Sequence, residues 1–196
     1  LNSAYGAIGN QYFRYYDVRQ AMAITLAGQF VIRFIEKNVN EYMNKILKTH
    51  DKIDYVVASD TDSIYLTMDK LVEQVCKDKT KDQTLKFLNK VVESRIEPFL
   101  DKCFKQLAEY TNAFENKMVM KREVIADKGI WTAKKRYILN VFNEEGLDLK
   151  EPKLKIMGIE AVKSSTPAPC RIKIKEALKV IMTKDESALI EFIENF

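Results

Sequence analysis

The sequence predicts an α+β fold in which a small antiparallel sheet is backed by long helices. Two observations support this prediction. Runs of β-branched and aromatic residues lie between positions 53 and 68 and between positions 118 and 157, and short polar turns interrupt them. Elsewhere, apolar residues recur at three- and four-residue steps over stretches long enough for extended helices. The composition, 46% hydrophobic and 31% charged, is that of a globular chain that buries a core, which excludes a disordered or fibrous protein.

Two helices separated by an aromatic linker are predicted at the start of the sequence. Leu1–Asn10 is expected to end a helix, because its last two residues, a glycine and an asparagine, tolerate the left-handed conformation of a C-terminal cap. The linker covers Tyr12–Tyr16. Asp17 is the expected N-cap of the second helix, which should continue to about Leu47.

The apolar stretch, the cysteines and the single histidine of this sequence lack the patterns of a membrane span, a redox or metal site and a catalytic site. The apolar stretch Ala21–Ile35 is shorter than the ~20 residues of a bilayer span, so it is predicted to be a buried helix. Cys76, Cys103 and Cys170 match no metal-ligand or redox spacing and are expected to be reduced packing residues. His50 lies in a polar stretch that predicts a surface turn. These patterns argue against a histidine-based catalytic site and against a zinc site.

A hairpin and a long amphipathic helix are predicted next. The hairpin covers positions 53–68, and a charged loop over Asp78–Gln83 leads to the helix. Pro98 should kink or restart this helix. The apolar stripe consists of Leu85, Leu88, Val92, Ile96, Phe99, Cys103, Leu107 and Tyr110.

The last part of the sequence is predicted to contain strands followed by helices. Expected strands are Met118–Ala126, Ile130–Phe142 and Lys153–Met157, with a link at Ala126–Trp131 and a turn at Asn143–Gly146. The segment Ser164–Pro169 marks a boundary, because proline bars a continuing helix. Helices are expected at Ile172–Met182 and Glu186–Phe196. The apolar stripe of the first of these should pack in a core.

Asp60 and Asp62 stand at the predicted tip of the first hairpin. If strand conformation continues through the tip, their carboxylates point to one face, with roughly 6–7 Å between the Cα atoms. Such a pair suits Mg²⁺, which usually takes one or two protein carboxylates and completes its shell with water and substrate phosphates. Two such metals can support nucleotidyl transfer. The alternative is an Asx-type turn, in which the aspartates bind their own backbone.

Three segments resemble motifs of B-family DNA polymerases, in the order that the family requires. Val56–Tyr65 (VVASDTDSIY) resembles the palm hairpin, and Leu1–Gly6 (LNSAYG), which lies upstream, resembles the close of the fingers-helix motif. Lys134–Tyr137 (KKRY) resembles the basic palm strand that touches the primer–template duplex. Further similarities, to the replicative polymerases of T-even-like tailed phages, lie at Phe13–Asp17, Leu154–Gly158 and Ser164–Pro167. The resemblance covers almost the whole chain.

The resemblance implies a DNA-directed DNA polymerase that transfers nucleotides to a primer 3′-OH by a two-metal mechanism. The family's indispensable metal ligand matches Asp62, while Asp60 matches a carboxylate beside the metals. Both are therefore expected to be catalytic and metal-binding, with two Mg²⁺ ions or with Mn²⁺ in their place. Asn2 and Tyr5 match nucleotide-binding residues that line the nascent base pair, and Gly6 matches the glycine that permits close approach to the template.

A basic segment is the expected DNA-binding surface. Its members should lie on one strand with alternate residues on opposite faces, so that one face contacts the duplex. The segment consists of Lys134, Lys135, Arg136 and Tyr137. Arg122 and Glu123 resemble a charged family pair near the palm active site, with Arg122 assigned to DNA and Glu123 to support of the metals or basic residues. The alternatives are a solvated basic strand and an ordinary cross-strand ion pair. A net charge of +4 favours a polyanionic partner only weakly.

The resemblance also implies a division of the chain. Residues 1–16 match the end of the fingers helix and a linker, residues 17–163 the palm, and residues 164–196 the start of the thumb. A further palm carboxylate of the family has no counterpart in the sequence, so poor or absent activity is expected from the chain alone. Expected partners are primer–template DNA, deoxynucleoside triphosphates and the remaining polymerase segments, in cis or in trans, without a membrane. The expected location is the cytoplasm of an infected bacterium.

Two rival functions remain open from the sequence. One is a non-catalytic DNA-binding module that keeps the basic strand and uses the acidic hairpin only structurally. The other is a separate metal-dependent nuclease, which the polymerase-type flanking residues disfavour.

Overall fold

The computed structural model describes residues 2–49 and 53–195, so the prediction for His50 lies outside the described residues. The chain divides into two compact units, Leu1–Met120 and Lys121–Phe196. The first contains long helices and a two-stranded hairpin, and the second contains a three-stranded antiparallel sheet with helices. The predicted α+β class is confirmed.

The first two helices have the predicted bounds. Helix α1 covers Asn2–Ile8, and helix α2 covers Val18–Leu47. Asp17 caps α2 as expected, since its Oδ1 accepts a hydrogen bond of 2.9 Å from the backbone N–H of Arg19. The end of α1 differs in detail, because neither residue after it takes the left-handed conformation. Lys48, with φ 51°, takes that conformation at the end of α2 instead.

The prediction that Ala21–Ile35 is a buried helix is wrong for most of its length. Only the C-terminal half of α2 is buried, and its core residues are Ile35, Val39, Met43 and Leu47. The N-terminal half leaves large apolar side chains between 45% and 56% exposed, namely Val18, Met22, Ile24, Leu26 and Phe30. The contacts that hold α2 to the hairpin and the later helix involve its C-terminal half, for example the stacking of Tyr42 on Phe99 at 4.0 Å.

The first hairpin is confirmed, and the helices after it differ from expectation in their bounds. Strands β1, Val56–Asp60, and β2, Ser63–Leu66, pair antiparallel. An unpredicted helix α3 covers Asp69–Val75, and α4 covers Lys81–Val91. Helix α4 begins inside the expected loop because the side chains of its N-cap threonine and of the glutamine three residues on form a capping box.

Pro98 restarts the long helix, as predicted. A π-helical turn, Val92–Ile96, follows α4, and helix α5, Glu97–Tyr110, has Pro98 in its first turn. Proline has no N–H to donate to the carbonyl four residues earlier. The wider turn brings the N–H of Glu97 to the carbonyl of Val92 instead. The predicted stripe is largely buried, except for Tyr110, which is 81% exposed.

The sheet of the second unit corrects the bounds of all three predicted strands. Strand β3 covers Val124–Ala133, β4 covers Arg136–Glu144 and β5 covers Leu147–Met157, in the order β3-β4-β5. Residues 118–123 are not a strand, and the expected link Ala126–Trp131 is part of β3. The expected turn between β4 and β5 is confirmed, with Gly146 at φ 90°.

Gly129 explains why the link was misjudged. It lies within β3, although a glycine is unusual in a strand and predicts a loop at this point of the sequence. A Cβ on Gly129 would lie 2.7 Å from the indole of Trp131 and 2.9 Å from Leu139. The glycine therefore provides space for an aromatic side chain packed across the strand.

Helix α6, Ala168–Thr183, completes the core of the second unit, and α7, Glu186–Glu194, follows it. A 3-10 turn at Glu160–Val162 precedes the predicted boundary segment. The core cluster contains Ile138, Ile159, Ala161, Leu178 and Met182. Helix α6 begins four residues earlier than expected, because proline is tolerated in the first turn of a helix.

No helix in residues 2–49 or 53–195 is long and apolar enough to cross a membrane.

Candidate functional site

The acidic hairpin is held against α2 by two asparagine side chains. Asn40 accepts hydrogen bonds from the backbone N–H groups of Tyr55, at 2.8 Å, and Val56, at 3.1 Å. Asn44 binds both backbone groups of Ile53, at 2.7 Å and 3.1 Å. Tyr55 is fully buried, so the strand that leads to the carboxylates has a fixed start. These contacts position β1.

The tip of the hairpin does not continue the strand, which corrects the expected geometry of the carboxylates. Asp60 ends β1 and pairs with Ser63, so Thr61 and Asp62 form a two-residue turn. Thr61 has φ 49°, and the N–H of Asp62 donates to the carbonyl of Asp60 at 2.6 Å. Because Asp62 lies in the turn, strand alternation does not determine the relation between its carboxylate and that of Asp60.

The two carboxylates have different environments. Asp60 is half-buried, and its Oδ1 accepts a hydrogen bond of 3.0 Å from the Thr61 hydroxyl. Asp62 is exposed at the tip, and its carboxylate has no hydrogen bond or ion pair with a described residue. Asp62 can therefore offer both oxygens to a cation without losing a protein contact.

The donor set fits part of a magnesium site. Carboxylate oxygens are the ligands that Mg²⁺ prefers, and one or two of them are a usual protein contribution. Among residues 2–49 and 53–195, no group of three or more histidine, cysteine, aspartate or glutamate side chains could hold a metal ion.

The expected nucleotide-binding residues lie on α1. Tyr5 is 44% exposed, and its hydroxyl is 2.7 Å from the Thr25 hydroxyl on α2. Gly6 has open space around it, since a Cβ there would meet nothing within 4 Å. Asn2 begins the helix, and its side chain lies outside the described part of the chain.

The basic segment is a turn and a strand start, which corrects the expectation of one continuous strand. Lys134 and Lys135 form the turn between β3 and β4, with φ 61° at Lys135, and both are exposed. Arg136 and Tyr137 begin β4. Tyr137 is 7% exposed and lies near Trp131, with 6.4 Å between ring centroids. The exposed positive charge is thus concentrated at the turn.

Arg136 is tied to the segment after β5. Its Nη2 donates to Glu160 Oε2, and Glu160 also accepts a hydrogen bond of 3.0 Å from Lys163. The hydrogen bond from Lys163, then a backbone hydrogen bond at Glu160 and the charge of Arg136, lower the pKa of Glu160 below its ordinary value of 4.5. Glu160 is therefore a carboxylate at neutral pH, and the guanidinium of Arg136 is only partly free for a ligand.

Arg122 and Glu123 have separate partners in the sheet, so they do not form a single cross-strand pair. Arg122 donates to the buried Asn143, which in turn donates to Asp148 at 2.6 Å. Glu123 accepts from Lys155 on β5. Arg122 thus belongs to a polar network within its own unit.

Sequence reasoning missed the residues that fix the basic turn. Gly158, with φ 65°, lies so close to the turn that a Cβ there would overlap the carbonyl oxygen of Lys135. Glu160 follows two residues later. The available signal was a glycine directly after a predicted strand, a pattern that indicates close backbone approach. It did not reveal which residues are approached.

The chain is similar to a known protein family and to two phage proteins. The sequence model of the family described as Divergent Family B DNA polymerase matches residues 28–190. A DNA-directed DNA polymerase of Enterobacteria phage T4 is 42% identical over 206 residues, covering 100% of this chain and 23% of the relative. A DNA-directed DNA polymerase of Escherichia phage RB69 is 44% identical over 196 residues, covering 95% of this chain and 22% of the relative.

The chain therefore spans less than a quarter of the length of these relatives. The resemblance inferred from the three motifs is confirmed, and the family model covers most of the chain. The chain belongs to the divergent family B DNA polymerases.

Proposed function

We propose that this chain is the palm part of a template-directed DNA polymerase, with the end of the fingers helix at residues 1–16, the palm at residues 17–163 and the start of the thumb at residues 164–196. The whole enzyme adds deoxynucleotides to a primer 3′-OH. The observation that supports this most is the exposed, unpartnered carboxylate of Asp62 on a hairpin whose start is held by buried hydrogen bonds. The relatives' names and the family match point to the same activity.

Asp62 and Asp60 are the proposed metal ligands, for two Mg²⁺ ions or Mn²⁺ in their place. When bound, such ions stabilise the attacking and leaving oxygens of an in-line displacement. Asp62 contributes a solvent-facing carboxylate, and the Thr61 hydroxyl orients Asp60. A further carboxylate from the remaining polymerase segments, in cis or in trans, completes the site. For this reason we expect the chain alone to polymerise poorly or not at all.

The proposed substrate contacts divide between the two units. On α1, Asn2, Tyr5 and Gly6 line the nascent base pair, with Tyr5 oriented by its contact with Thr25. In the second unit the exposed turn lysines contact phosphates of the primer–template duplex, in a manner independent of sequence. The further proposed DNA-binding residues of this surface are Arg136, Tyr137 and Arg122. The proposed setting is the cytoplasm of an infected bacterium.

A primer-extension assay tests the proposal. The chain is mixed with Mg²⁺, four deoxynucleoside triphosphates, a primer–template and a polypeptide carrying the remaining polymerase segments. Extension is expected only in the complete mixture. Asp62→Asn should reduce its rate at least about 100-fold, since even an outer-shell partner of a metal is worth about 10–100-fold. Asp78→Asn, an equal charge change at another exposed aspartate of the same unit, should retain the rate.

A wild-type rate in the Asp62→Asn mixture would remove Asp62 from the metal site. A second candidate function rests on the exposed Lys134 and Lys135 of the basic turn, which can bind duplex phosphates without a metal. Duplex binding without extension in any mixture would support that candidate, a non-catalytic DNA-binding module derived from a polymerase palm.

A further inference from the structure

The turn between β3 and β4, at Lys134 and Lys135, is contacted by the segment that follows β5. Gly158 packs against the carbonyl oxygen of Lys135. A Cβ added at Gly158 would overlap that oxygen and lie 3.2 Å from Cγ of Arg136, so no other residue fits there without moving the turn. Two residues later, Glu160 binds the guanidinium of Arg136. A third contact within the hairpin, from the Thr132 hydroxyl to the carbonyl of Arg136 at 3.2 Å, closes the turn.

The lysines at this turn have no comparable restraint on their side chains. Lys134 and Lys135 are exposed and form no ion pair within the described residues. Their backbone is held, and φ 61° at Lys135 lies in a region that non-glycine residues rarely adopt. A turn with this conformation therefore depends on its neighbours for stability.

We propose that Gly158 and Glu160 are positioning residues for duplex binding, which act by holding the backbone of the Lys134–Lys135 turn in its binding conformation. The inference rests on the proposed function, since it takes the duplex as the ligand of the turn. Neither residue touches DNA. Their contribution is preorganisation: a backbone held before binding loses less conformational freedom when phosphate contacts form.

Electrostatics alone predicts the opposite effect for Glu160. A carboxylate beside a phosphate-binding turn repels DNA, so its removal should tighten binding if it has no positioning role. If it holds Arg136 and the turn, its removal should weaken binding. The sign of the change in duplex affinity when Glu160 is removed therefore distinguishes a positioning role from a purely electrostatic one.

The first test replaces Gly158 without changing any charge. Gly158→Ala introduces a Cβ that overlaps the Lys135 carbonyl, so the turn must move. We expect duplex affinity of the full chain to fall about threefold or more at moderate salt, the effect of losing one phosphate contact. The matched control is Gly146→Ala, at φ 90°, where the added Cβ meets nothing closer than 3.8 Å. It carries the same kind of backbone strain and should leave affinity unchanged.

The second test uses Glu160→Gln, which keeps the shape of the side chain and removes its charge. The expected result is weaker duplex binding. Its control is Glu144→Gln, because Glu144 also pairs with a lysine, Lys153 at 3.0 Å, but lies at the other end of β4. Tighter binding by Glu160→Gln, or equal effects of the two substitutions, would overturn the positioning role of Glu160.

Two further readouts separate this inference from the proposed function. Hydrogen exchange of the Lys134–Lys135 amides should accelerate in Gly158→Ala and in Glu160→Gln, with or without DNA. In a chain that already carries Lys134→Ala and Lys135→Ala, Gly158→Ala should have no further effect on affinity, and Glu160→Gln should no longer weaken binding. Failure of the wild-type chain to bind duplex even with the remaining polymerase segments present overturns the proposed function, and unchanged exchange in both variants overturns the positioning role.

Discussion

Asn40 and Asn44 are single side chains that join a helix to the strand carrying the candidate metal ligands. Asn40 accepts from the N–H groups of Tyr55 and Val56, which are both buried, and donates to Asp54 at 2.7 Å. Buried backbone donors must find an acceptor, and here one amide oxygen supplies two of them. The hairpin therefore depends on a residue that neither local propensity nor apolar periodicity identifies.

Asn40→Ala should lower the free energy of unfolding by about 1–3 kcal/mol, since it leaves the buried N–H of Tyr55 without its acceptor, while the N–H of Val56 keeps a hydrogen bond to Asp54. Asn38→Ala on the same helix is the control, because Asn38 only donates back to the carbonyl of Phe34. Its effect should stay within about 0.5 kcal/mol. Urea denaturation of both variants makes the comparison, and equal losses would show that Asn40 contributes no more than any helix asparagine.

Glycines show how far single residues could be interpreted from sequence. Gly146 was correctly placed in a turn, because a glycine after acidic residues is a local signal. Gly129 was misjudged, since what it accommodates is the side chain of Trp131 packed across it. Gly158 directly follows the predicted strand Lys153–Met157, but the turn that it contacts lies more than 20 residues earlier in the sequence. Contacts between distant residues leave no local pattern.

At the scale of elements, the β3–β4 hairpin concentrates exposed positive charge in two adjacent lysines. Replacing Lys134 and Lys135 with alanine should reduce the salt dependence of duplex binding by about two units of slope, one for each lost phosphate contact. This double substitution leaves the ion pair between Arg136 and Glu160 in place. Alanine at Lys102 and Lys105, both exposed on α5, is the control. An unchanged slope would exclude the turn from the DNA interface.

Elements with a local signal were predictable. Helix α2 has the expected bounds because an aspartate caps its start. The acidic hairpin was placed correctly by its two β-rich runs, but the conformation of its tip was not, because φ 49° at Thr61 is unusual for threonine. The basic segment was assigned to a strand because lysine and arginine carry no turn signal. Its turn joins β3 to β4 and is contacted by Gly158 and Glu160, which lie more than 20 residues later in the sequence.

At the scale of the whole molecule, the exposed apolar half of α2 affects solution behaviour. Met22 and Leu26 are 53% and 56% exposed on a helix whose other half is in the core. Exposed apolar surface of this kind favours association. Met22→Gln with Leu26→Gln should reduce concentration-dependent self-association, measured by sedimentation, and change the unfolding free energy by only about 0.5 kcal/mol. A large loss of stability would mean that these side chains are packed in solution.

The π-helical turn at Val92–Ile96 lets the α4–α5 segment carry one extra residue without changing the direction of the side chains that follow it. Such a turn holds one more residue than an α-helical turn over about the same rise. Deleting one residue there should restore regular winding while Phe99 still faces Tyr42 and the buried side of α5 stays in the core. A deletion within the regular winding of α5 would instead rotate the residues after it by about 100°. Among family members, single-residue deletions should therefore occur at this turn rather than within α5.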